Sequence, residues 1–153
     1  MNQHENVIGE LNRFLRGRYM GMLQYEHLIE KAKAERMDER LVDMLERFRE
    51  HARLGAERIS QRIKQLGGEP VDGIGIMGHV QDWMQKLRGY PETPEGILRD
   101  AFMGENKYGI KMSHLMVAGE LDPESKKIVD TILEEDQKRA DQIKQCLGQG
   151  ELV

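Results

Sequence analysis

The sequence predicts an all-α fold: a four-helix bundle of antiparallel helix pairs joined by one long crossover that carries a short extra helix. Three observations predict it. Apolar residues recur at alternating steps of three and four along four separate stretches. Capping signals bound these stretches, and one connection, at about 67–92, is long and glycine-rich.

In the first stretch Ile8, Leu11, Leu15, Met22, Tyr25 and Ile29 form one stripe, predicting a helix from about Val7 to about Arg36. Arg18 lies in the middle of that stripe. A guanidinium keeps its charge at ordinary pH, and burying it unpaired costs about 3–5 kcal/mol, so acidic groups from elsewhere in the chain must meet it. Asp38 then offers an N-cap for a second helix, and so short a connection makes the two helices antiparallel neighbours. Leu41, Leu45, Phe48, Ala52, Gly55, Ile59 and Leu66 face one way on it, with Glu46, Glu50, Arg53 and Glu57 opposite. Gly67 and Gly68 stop this helix, and Pro70 prevents its resumption.

The crossover holds Gly73, Gly75 and Gly78, then a predicted short helix from about His79 to Leu87 that Trp83 anchors to the bundle. Thr93 followed by Pro94 is an N-cap with proline at the first helical position, opening a third helix. Its inward stripe reads Leu98, Ala101, Phe102, Glu105, Tyr108, Met112 and Leu115, and Gly119 closes it. Asp122 and Pro123 repeat the capping logic for a fourth helix, with Ile128, Ile132, Glu135 or Asp136, Arg139, Ile143 and Cys146 facing inward.

Each stripe carries a polar residue near its midpoint: Arg18, His51, Glu105, and Glu135 or Asp136 with Arg139. Singly, each also fits a rim position to which a long side chain snorkels. Helix midpoints meet at one level in a bundle, so together they predict one buried polar layer. In it Arg18 and Arg139 pair with Glu105 and with Asp136 or Glu135, and His51 adds a hydrogen bond.

At 153 residues the chain is expected to be one domain, and 39% apolar with 33% charged residues describes a globular protein. A formal charge of -4 with no basic stripe argues against nucleic acid, and no apolar run reaches membrane-spanning length. Met1 to Glu5 shows no basic segment followed by an apolar one, so the cytoplasm is the expected compartment. Cys146 is the single cysteine, which excludes an internal disulfide and a thiolate cluster. The other histidines form no zinc-binding pair, and the ten methionines are scattered as core filling would scatter them. Gly73 to Gly78 lack the strand and the Lys-Ser or Lys-Thr of a phosphate cradle. Met20 and Leu23 make a second, narrower apolar patch on the first helix, for which a homodimer contact is expected.

The motifs Leu11-Asn12-Arg13-Phe14-Leu15, Gln24-Tyr25, His51-Ala52 and Leu66-Gly67-Gly68 resemble the first half of a bacterioferritin or related ferritin-like protein. With Gly104-Glu105-Asn106-Lys107-Tyr108 and Glu134-Glu135-Asp136-Gln137-Lys138, the whole chain is most similar to an uncharacterised bacterial group of rubrerythrin-like four-helix bundles. Ferritin-like enzymes hold two metals with a glutamate on the first and third helices and Glu-x-x-His on the second and fourth. The resemblance sets Arg18 where the first glutamate belongs, and the paired motifs become Phe48-x-x-His51 and Asp136-x-x-Arg139. The third-helix ligand falls near Met103 or on Glu105, and Arg49 stands where a haem-binding methionine belongs.

The expected function is therefore a non-catalytic ferritin-like protein with a structural or binding role, no cofactor and no catalytic residues. One alternative is a degenerate or mononuclear site for non-haem iron or another divalent metal, with oxidase, peroxidase or storage chemistry. It would use His51, Glu105 and Asp136 or Glu135. Another is a helical module that recognises a protein partner.

Overall fold

The structure is a computed structural model and describes residues 3–73, 92–105 and 121–149. Among the described residues it contains four helices: α1 Gln3–Ala34, α2 Glu39–Gln65, α3 Pro94–Gly104 and α4 Pro123–Gln149. The chain is an all-α four-helix bundle, as its periodicity predicts. The proposed crossover helix, Trp83, Tyr108, Met112, Leu115 and Gly119 lie outside the described residues.

Two boundaries differ from expectation, each for a local reason. α1 begins at Gln3, a turn before the apolar stripe starts, because its first turn is polar and solvated and carries Glu5 against the positive end of the helix dipole. It stops at Ala34 because Arg36 adopts a left-handed backbone, φ 52°. The Arg36 N–H donates to Lys33 O at 3.1 Å, and the Met37 N–H to Ala32 O at 2.9 Å. α2 ends in the same doubly bonded closure, where Gly67 has φ 86° and Gly68 N–H donates to Ile63 O at 2.9 Å. At α2 the closure is written in glycine and readable. At α1 it is written in arginine and hidden.

The caps behave as predicted. The Asp38 side chain accepts from Arg40 N–H at 2.8 Å, Thr93 Oγ1 accepts from Gly96 N–H at 3.0 Å, and Asp122 Oδ2 accepts from Ser125 N–H at 3.2 Å. Arg62 fastens the end of α2 to the start of α4, reaching Asp122 at 2.7 Å and the Ser125 hydroxyl at 2.9 Å. Partial burial pushes the Asp122 carboxyl up, but these hydrogen bonds outweigh it and hold the group below its ordinary range. Asn12 pins the chain after α2: its Nδ2 donates to Glu69 O at 3.0 Å, and its Oδ1 accepts from Val71 N–H at 2.8 Å.

Among the described residues the apolar core falls into two clusters. One gathers Val7 to Leu15 of α1, Ala56 to Ile63 of α2 and Val129 with Ile132 of α4. The other gathers Tyr25 to Ala32, Leu41 to Phe48, Ile97 to Ala101, and Ile143 with Cys146. The start of α1 thus meets the end of α2 and the start of α4, while α2 and α3 both begin at the far end. Gln65 and Pro94 consequently sit at opposite ends of the bundle, so α3 starts at the end away from the close of α2. No helix among the described residues is long and apolar enough to cross a membrane.

Candidate functional site: a charged layer between two apolar clusters

Between the clusters lie Arg18, Glu105, Asp136 and Arg139, with relative exposures of 5%, 6%, 0% and 4%. Arg18 grips Asp136 with both terminal nitrogens, Nη1 to Oδ1 at 2.8 Å and Nη2 to Oδ2 at 2.7 Å. This fork-to-fork pairing fixes orientation as well as charge. Arg139 donates from Nε to Glu105 Oε1 at 2.9 Å, and its Nη2 also donates to Asp136 Oδ1. Arg139 therefore bridges both acids, and two cations face two carboxylates from α1, α3 and α4. The Arg18 guanidinium also lies 5.1 Å from the centre of the Phe14 ring, whose face favours a cation.

The Tyr25 hydroxyl donates to Glu105 Oε1, the oxygen that also accepts from Arg139. Burial pushes the Tyr25 hydroxyl well above its ordinary value, reinforced by the charge of Glu105, so it remains a donor. Burial also raises the Glu105 carboxyl, outweighing the pull of Arg139 in the other direction. For Arg139, burial disfavours the cation, but Glu105 and Asp136 more than compensate and hold its proton still more firmly than usual.

Neighbouring residues shape the layer. Gln24 donates to Asp100 O at 2.7 Å, joining α1 to α3. It lies where a Cβ on Gly104 would come within 1.8 Å of its Oε1, so the missing side chain at 104 admits the amide. A cavity of about 20 Å³ beside Arg18, Tyr25, Glu105 and Arg139 is on the scale of one solvent molecule, too small for an organic ligand.

The structure brings Arg18, Glu105, Asp136 and Arg139 together and leaves two candidates out. His51 is exposed, so its assignment to the layer is corrected. The inward positions of α2 at this level are Ala52, which lines the small cavity beside Arg18 and Arg139, and Gly55, which faces Ile132, and a step of one residue turns a helix by about 100° and carries His51 outward. Glu135 stands at the rim, 40% exposed and 2.9 Å from Arg58, which leaves Asp136 as the inward acid. The alternative metal set of His51, Glu105 and Asp136 or Glu135 is therefore not assembled. Among the described residues no group of three or more His, Cys, Asp or Glu side chains converges as a metal site. Tyr25 was legible as an inward aromatic, but its partnership with Glu105 was not. The available signal was a polar tip on an apolar stripe two turns after Arg18.

Residues 6–116 match the model of a family described as a domain of unknown function, DUF2383. The chain belongs to the DUF2383 family. No curated protein matches it. The DUF2383 match covers Arg18, Tyr25 and Glu105, while Asp136 and Arg139 lie beyond the matched residues on α4. Both acids of the layer are engaged by guanidinium and withdrawn from solvent, so within this DUF2383 chain their chemistry is ion pairing that joins three helices.

Proposed function

We propose that this protein is a non-catalytic ferritin-like bundle in which a fixed Arg/Asp/Glu layer stands in place of a di-metal centre, leaving a structural or binding role. The observation that carries it is the two-pronged pairing of Arg18 with Asp136 inside the core. A site with four carboxylates needs about two divalent cations for neutrality. Here only two acids remain, Glu105 and Asp136, and Arg18 and Arg139 balance them permanently, with both oxygens of Asp136 already accepting from the two guanidinium groups. The test is elemental analysis of protein purified without chelator. Iron, manganese and zinc are expected well below one ion per chain, and stoichiometric metal that survives dialysis would overturn the proposal.

The same reading includes a homodimer formed through the outer face of α1, where Met20 and Leu23 are only partly covered. Sedimentation equilibrium is expected to show a dimer that Leu23→Glu dissociates without loss of helicity.

A further inference from the structure

Along the outside of the bundle, α2 and α4 touch only sparingly and leave a groove of about 710 Å³. That volume lies within the usual range of small-molecule sites. Phe48 and Leu54 both line it, and Leu54 is 44% exposed, where most large apolar side chains among the described residues are covered. The charges around it are unbalanced. Arg47, Arg58, Lys138 and Arg139 line the groove against Glu57 and Glu135. Both acids are already engaged, Glu135 with Arg58 at 2.9 Å and Glu57 with Arg53 at 3.3 Å. Among the described residues Arg47 and Lys138 form no ion pair, so an acidic protein of formal charge -4 carries here a pocket that is locally cationic.

We propose that this groove binds a small amphipathic carboxylate: an anionic head held by Arg47 and Lys138, with an apolar body lying against Leu54 and Phe48. The Arg58–Glu135 pair bridges the two helices at 2.9 Å within the groove, with Gln61 lining it beyond, and this interruption favours a compact molecule over a continuous partner helix. From Arg47 to Leu54 the α2 wall runs roughly 10 Å, the length of a medium-chain acid. The site is independent of whether the core layer replaced a metal centre.

The test titrates the full chain with octanoate, using octylamine and 1-octanol as controls for charge, and follows melting and backbone amide shifts. Octanoate is expected to bind saturably, to raise the melting temperature and to shift amides around Arg47, Leu54 and Lys138. Reversing one cation, in Arg47→Glu or Lys138→Glu, is expected to weaken binding about tenfold, and Leu54→Asp to weaken it comparably. All three positions are solvent-exposed, so the variants fold, which their unliganded helicity checks. Absence of saturation, an equal response to octylamine, or unchanged affinity in the charge-reversed variants would each overturn the assignment. So would protection of the groove by self-association with no response to octanoate.

Discussion

Arg18 is where one substitution has the largest expected effect. Truncating it in Arg18→Ala removes the charge that faces Asp136 and leaves a carboxylate that is 0% exposed beside Arg139 alone. The expected loss is about 3–5 kcal/mol, read from denaturant unfolding. Arg18→Lys should recover only part of it, because an ammonium cannot donate through a planar fork. Glu105 offers a second measurement, in pH. Arg18 and Tyr25 from α1 and Asp136 and Arg139 from α4 surround its carboxyl, and burial raises it above the ordinary 4.5. A raised folded-state value means that the protonated form is favoured by the fold. Its contribution is complete below 4.5 and is lost as pH climbs through the raised value. Relative to Glu105→Gln, which keeps an oxygen for Tyr25 and Arg139, the wild type should therefore lose stability as pH rises across that window. Melting curves of the two proteins at several pH values provide the check. Arg18, Glu105 and Arg139 were legible because a charge on an apolar stripe stands out, while the choice between Glu135 and Asp136 stayed open until the structure turned Asp136 inward. His51 misled because helix phase drifts by a residue and sequence alone does not show which of two adjacent side chains turns inward.

Among the elements, the two matching closures make a controlled pair. Arg36 holds a left-handed backbone at φ 52° with a side chain attached, while Gly67 holds φ 86° without one. Arg36→Gly should stabilise the α1 closure by about 0.5–1 kcal/mol, and Gly67→Ala should weaken the α2 closure by a similar amount. Thermal unfolding of both variants tests the pair. Helix starts were the most readable features, since Asp38, Thr93 and Asp122 each cap as their type predicts. The start of α1 was less readable because a polar first turn leaves no periodic trace, and its end because arginine is not a stop signal.

For the whole molecule, the charged layer is expected to set how the helices line up. Apolar clusters tolerate sliding, whereas moving α1 by one turn, about 5.4 Å, would part Arg18 from Asp136 and strand both. Replacing Arg18, Glu105, Asp136 and Arg139 together by apolar residues of similar size should leave stability unchanged or raise it by about 1–4 kcal/mol. The same variant should show broadened or doubled amide signals from alternative alignments. A single sharp set of signals would assign alignment to the apolar clusters alone. The bundle was legible because periodicity and caps are local. The α2–α4 groove was not, because it depends on how closely two helices pack after folding.

Arg139 belongs both to the lining of that groove and to the pairing between Glu105 and Asp136. The outer surface and the interior consequently share one side chain, and they cannot drift independently over evolutionary time. A lineage that retuned its preference for a guest molecule at this position would unpick its own scaffold. Diversification is thereby channelled to Arg47, Leu54 and Lys138, where change leaves the framework intact.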